Sequence, residues 1–105
     1  MKIQVNTDSS VKGDQRLESI VEEKVENKLK RFQNDITRVE VHIRDENSEK
    51  GGPDDKRCLI EARLKGLDPS SATDRANTVE AAVNGAISKL QKVLDSTLGK
   101  RKSHR

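Results

Sequence analysis

Few residues of this 105-residue chain are of a type that does chemistry, and their spacing does not bring them together. Histidine occurs twice, as His42 and His104, and cysteine once, as Cys58. His42 falls on the water-facing side of an alternating segment, His104 is the penultimate residue, and Cys58 alternates with Ile60 and Ala62. No short spacing of metal-binding residues exists, so no metal site is expected. Cys58 reads as a small core residue rather than a nucleophile, and a single cysteine excludes an internal disulfide. Carboxylates are plentiful, but the pairs Asp45-Glu46 and Asp54-Asp55 lie in or beside a glycine-containing connection. Acid–base catalysis needs carboxyls in a shielded pocket that separates their pKa values. A chain whose only aromatic residue is Phe32 has little material for such a pocket. Gly51-Gly52-Pro53 matches neither the Walker pattern nor the dinucleotide fingerprint. Neither an enzyme, a cofactor nor a small-molecule substrate is expected.

The remaining candidates are cations. Lys28, Lys30 and Arg31 close one predicted helix; Lys89 and Lys92 lie one turn apart on another; Lys100, Arg101, Lys102 and Arg105 follow it. Flexible basic side chains grouped in this way suit sequence-independent contacts to phosphates. Exposed strand positions add Arg38, Arg44, Arg57, Arg63 and Arg75, with Glu40 and Glu61 interspersed. A net charge of +3 and a pI near 9.1 lean toward an anionic partner. With no set of aromatics to stack bases, reading of single strands on a sheet platform is not expected. Two plainer explanations stand beside RNA binding. Late bases complement a helix dipole, and charges keep a small domain soluble.

Six elements must position these residues. Lys2 to Asn6 alternates and reads as a first strand, followed by a loop of turn formers from Thr7 to Gly13. Asp14 can cap a helix whose inward stripe is Leu17, Ile20, Val21, Val25, the stem of Lys28, Leu29 and Phe32. Ile36 to Asp45 is a second strand with Val39, Val41 and Ile43 inward. Glu46 to Asp55 is a flexible connection, and Lys56 to Lys65 a third strand with Cys58, Ile60, Ala62 and Leu64 inward. Gly66 to Pro69 turns the chain into a polar fourth strand, Ser71 to Ala76, suited to a sheet edge.

The last helix spans Thr78 to Leu98. Val79, Ala82, Val83, Ala86, Ile87, Leu90, Val93, Leu94 and Leu98 recur on one face. Asn77 with Glu80 has the form of a capping box, and Gly99 stands where the helix should stop. The fold class expected is α+β: a two-layer β-α-β-β-β-α sandwich, with both helices on one face of a four-stranded sheet. Residues 1–98 form a single domain, and 99–105 a basic flexible tail. With 30% hydrophobic and 37% charged residues, the core must be lean. No signal peptide and no apolar run long enough to cross a bilayer is present, so a cytosolic protein is expected.

This order, with its closing helix, resembles the bacterial ribosome hibernation-promoting and ribosome-associated inhibitor family, also described as modulators of an alternative sigma factor. Val79-Glu80-Ala81-Ala82-Val83-Asn84 followed by Ser88-Lys89-Leu90 is similar to that family's Met-Tyr-Ala-Ala-Ile-Asp and Asp-Lys-Leu run. Lys28-Leu29-Lys30-Arg31-Phe32 is similar to the segment that ends its first helix. Glu80 replaces the usual aromatic, and Asn84 and Ser88 replace acids. The resemblance implies a short form that occupies the small-subunit channel for mRNA and tRNA and silences ribosomes under stress or in stationary phase. Lys28, Lys89 and Lys92 are then the foremost contacts to rRNA phosphates. Lys30, Arg31, Lys100, Arg101 and Lys102 follow by charge and location. The alternative is a protein-binding regulator that uses the exposed sheet face or the Ser71–Ala76 edge.

Overall fold

The computed structural model describes residues 1–7, 15–45 and 56–103, with side chains as far as Gly99. The elements are β1 (Lys2–Thr7), α1 (Gln15–Lys28), a 3₁₀ turn (Lys30–Phe32), β2 (Ile36–Asp45), β3 (Lys56–Leu64), β4 (Ser70–Ala76) and α2 (Val79–Ser103). They build the expected α+β sandwich. The strands lie in the order β1-β2-β3-β4, with β1 parallel to β2 and the other neighbours antiparallel. β4 is thus an edge, as its polar sequence suggested, and β1 is the other.

Alternation divides the sheet cleanly. Val39, Val41, Ile43, Cys58, Ile60, Ala62 and Leu64 are buried on one face, under Val21, Val25 and Leu29 of the first helical segment and Val83, Ala86, Leu90 and Leu94 of α2. Each helix has one apolar stripe, so both must lie on the same side of the sheet. The other face carries the polar half of the alternation, with Leu59 as its apolar exception, and meets water. No helix among the described residues is long and apolar enough to cross a membrane.

Local details depart from the sequence pattern in four places. Thr78, one residue after the expected Asn77, caps α2, with its Oγ1 accepting the Ala81 N–H at 3.1 Å. The helix passes through Gly99 and continues to Ser103, so 99–103 is helical backbone rather than a tail. Nothing lies within 4 Å of a Cβ placed on Gly99, so its lack of a side chain serves no packing need there. Ile20 and Val93 are 42% and 37% exposed, not inward. Each precedes a buried residue by one position, which rotates it about 100° away around the helix. The Lys28 side chain is likewise exposed. Finally, α1 stops at Lys28, and Phe32 is buried by the tighter turn instead, with its N–H on the Leu29 carbonyl at 2.9 Å. Asp14, the loops expected over 7–13 and 46–55, His104 and Arg105 lie wholly or mainly outside the described residues.

Two glycines have a definite reason. Gly66 adopts φ 70° in the turn between β3 and β4, a left-handed conformation that side chains disfavour. Gly85 lies in the middle of α2, where glycine costs about 1 kcal/mol relative to alanine. A Cβ there would collide with the Asp74 carboxylate on β4, so the missing side chain lets helix and edge strand approach. Gly85→Ala should therefore destabilise the fold by about 1–3 kcal/mol despite its gain in helix propensity, read as a lower denaturant midpoint with unchanged slope.

Candidate nucleic-acid interface

Three links tie the first helical segment to α2 and build a groove between them. Lys24 Nζ reaches Glu80 Oε1 at 3.3 Å, Gln91 Nε2 donates to the Lys28 carbonyl at 2.9 Å, and Arg31 grips Asp95 with both terminal nitrogens at 2.5 and 3.0 Å. The partners ascend both segments in the same order, so the two helices run in the same sense. Lys24, Lys28, Asn84, Ile87, Ser88 and Gln91 line the resulting groove of about 350 Å³. Asn84 and Ser88 are the positions where the resemblance leads one to expect acids. With neutral residues there, the lining of the groove holds no carboxylate. Glu80, in place of an aromatic, is instead the partner of Lys24.

The expected contacts separate into three groups. Lys28, Lys30 and Lys92 are exposed and have no ion-pair partner among the described residues. Lys28 and Lys30 stand at the end of α1 and in the turn after it, and Lys92 follows Gln91 on α2, whose side chain holds the Lys28 carbonyl. Arg31 and Lys89 are already engaged. Arg31 carries the Asp95 pair and lies over the Phe32 ring at 4.0 Å to its centre. Lys89 turns toward the edge strand, with Nζ 3.0 Å from Asp74 Oδ1 and 3.3 Å from the Thr73 carbonyl. Lys100, Arg101 and Lys102 continue α2, and their side chains lie outside the described ones.

Lys24, a late base of the first helix, is not among the phosphate contacts expected from the sequence. It precedes Lys28 by four residues and so shares its helix face, which was the available signal. The carboxylates that engage Arg31 and Lys89 are far away in sequence and carried no signal at all.

Ionisation follows these contacts. The hydrogen bond from Lys89 is the main cause that holds the Asp74 carboxyl below the usual aspartate range. Partial burial opposes it, while the Arg75 backbone N–H and the Lys89 charge assist. Asp95 is lowered chiefly by its hydrogen bonds from Arg31, and the Arg31 guanidinium is raised in turn. Burial, with help from the charge of Asp74, pushes the Cys58 thiol up to about 12. It is therefore neutral and inert near pH 7. The described residues contain no cluster of three or more histidine, cysteine or carboxylate groups able to hold a metal. What this surface offers is positive charge on a two-helix face.

A protein-family model described as Sigma 54 modulation protein / S30EA ribosomal protein matches residues 3–102. No curated protein sequence matches significantly. Among solved structures, the N-terminal domain of Protein Y from Thermus thermophilus is similar, with a TM-score of 0.73 at 16% identity over 92% of this chain and 99% of that one. A ribosomal subunit interface protein from Coxiella burnetii is also similar, with a TM-score of 0.58 at 19% identity over 98% and 99%. At these identities the likeness is one of fold.

The two carboxylates give the pH dependence its sign. Their folded pKa values are depressed, so their contribution is present above the ordinary aspartate range and is lost as pH falls through the folded values. Thermal stability should decline below about pH 4. The decline should be shallower in the Asp74→Asn/Asp95→Asn variant, followed by melting temperature between about pH 6 and about pH 3. Both groups are largely exposed, which keeps the difference small.

Proposed function

We propose that this chain, which belongs to the Sigma 54 modulation protein / S30EA ribosomal protein family, binds the ribosome and holds it inactive. The family match over residues 3–102 carries this reading, since it covers all but the first residue of the sheet and the last of α2. The name of one similar structure, a ribosomal subunit interface protein, points the same way. The mode of action is occlusion. The two-layer sandwich fills the mRNA and tRNA channel of the small subunit, while basic side chains neutralise rRNA phosphates. No bond is made or broken, and no cofactor is needed. Stress or stationary phase is the natural setting for such silencing, and a ribosome-bound role carries a cytoplasmic location with it.

Lys28, Lys30 and Lys92 are assigned as the principal contacts, because nothing among the described residues already satisfies their charge. Lys24 adds to them from the groove, and Lys100, Arg101 and Lys102 extend the same helix toward the phosphates. Arg31 and Lys89 have a different part. They hold the turn after α1 and the edge strand against α2, and meet RNA only by sharing or exchanging Asp95 and Asp74.

The purified chain should sediment with small subunits or whole ribosomes and inhibit cell-free translation. Lys28→Glu/Lys30→Glu/Lys92→Glu should leave the protein folded by circular dichroism but at the top of the gradient at about 0.15 M salt. A parent protein that stays at the top even at low salt removes the proposal. Partners that survive nuclease treatment in a pull-down would transfer the role to a protein-binding regulator.

A further inference from the structure

Phe32 is the only aromatic residue of the chain, and it directly follows Arg31. The 3₁₀ turn buries the ring and brings the Arg31 guanidinium carbon to 4.0 Å from its centre. Asp95 takes the end of the same guanidinium fork with both carboxylate oxygens. A carboxylate at the edge and a ring on one side together fix the orientation of the fork. The Arg31 side chain is still 54% exposed, so its flat side away from the ring stays open to water. Beside it lies a depression of about 210 Å³, lined by Arg31, Phe32, Asp35, Asp95, Leu98 and Gly99.

Both walls belong to fixed parts of the fold. Leu98 and Gly99 follow Asp95 by three and four residues, so the three share one face of α2. Opposite them, the Asp35 N–H bonds the Phe32 carbonyl at 2.9 Å, and the Asp35 carbonyl accepts the Lys65 N–H at 3.0 Å. Gly99 keeps the opening clear, since nothing lies within 4 Å of a Cβ placed there.

This lining selects an occupant. Two carboxylates repel a phosphate, so the depression does not continue the lysine surface. Buried Phe32 and Leu98 give it an apolar floor. An exposed guanidinium plane is a stacking surface for a nucleobase. Carboxylate oxygens only accept hydrogen bonds, and Asp95 keeps lone pairs beyond those that bind Arg31. Asp35 has no side-chain partner among the described residues. A base with adjacent N–H donors on one edge matches these acceptors. Guanine is the RNA base of that kind, with N1–H beside its N2 amine.

We propose that this depression is a guanine site: an unstacked guanine lies on the Arg31 guanidinium and donates to Asp95 and Asp35. The base shares Asp95 with Arg31. Lys30 precedes Arg31 and Lys92 stands one turn before Asp95, so a strand held by those lysines reaches the depression. The site rests on the reading of the helix face as an RNA surface and adds a base preference to it.

Fluorescence anisotropy on the full chain compares labelled oligouridylate with the same strand carrying one central guanosine. The parent should bind the guanosine strand about tenfold more tightly, as one stacked base allows. Gly99→Leu fills the depression without removing a charge, and it gains helix propensity. Arg31→Lys keeps the charge but offers no plane to stack on. Both variants should bind the two strands alike, at the parent's affinity for oligouridylate and with the parent's log–log salt slope. A parent that binds neither strand, or shows no preference, would overturn the site. A Gly99→Leu variant that keeps the preference would also overturn it, as would one that loses affinity equally for both strands. Ribosome sedimentation of the parent keeps the two proposals apart. Sedimentation without guanosine preference removes this site alone. Guanosine preference without sedimentation removes the ribosome reading and leaves the site standing.

Discussion

A single apolar layer is the constraint from which the rest of this structure follows. The chain has enough valine, isoleucine, leucine and alanine to cover one face of a four-stranded sheet, and no more. Both helices must share that face, each with its one stripe turned down. Apart from Ser70 and Asp74 on the edge strand, polar side chains are driven outward, onto the backs of the helices and onto the bare side of the sheet. The protein is therefore basic on two opposite surfaces with a thin apolar layer between them. That arrangement places positive charge on the outside of a compact two-layer body.

Within that frame, a few polar contacts decide which cations are available to a partner. Asp74 is the most telling. It occupies an inward position on the edge strand, opposite Cys58 in the register, where an apolar residue would be usual. Its carboxylate fits because Gly85 offers no Cβ, and Lys89 reaches over from the next turn of α2 to neutralise it. Glycine, aspartate and lysine thus form one device that docks the edge strand on the helix. Arg31 and Asp95 do the same for the turn after α1. Lysines outside such devices, Lys28, Lys30 and Lys92, are the ones left to face a ligand.

The fold was largely legible because alternation in β2 and β3 and the three-four spacing in α2 are strong, mutually consistent signals. Strand bounds for β2 agree with the sequence reading to the residue. Helix ends were less legible. Thr78 and Asn77 are both capable caps, and only the backbone geometry selects Thr78. Gly99 looked like a stop because glycine at a helix end usually is one, yet a glycine can also be carried inside a helix. The candidate site was legible as charge but not as availability. Lys89 and Lys92 are equivalent by spacing, and they differ only because Asp74, fifteen residues before Lys89, is brought beside one of them. The exposed arginines of the strands were visible in the sequence; that Arg44, Arg57 and Arg75 stand in one cross-strand row needed the register.

The central claim is that the helix face lies against rRNA of the small subunit. Directed hydroxyl-radical cleavage from an iron chelate on Ser96→Cys tests it most directly. Ser96 is exposed on α2, and the buried, neutral Cys58 thiol does not compete for the label. The account predicts cuts confined to small-subunit rRNA strands that line the mRNA and tRNA channel. Cleavage no greater than that of free chelate, or cuts scattered over both subunits, would contradict it.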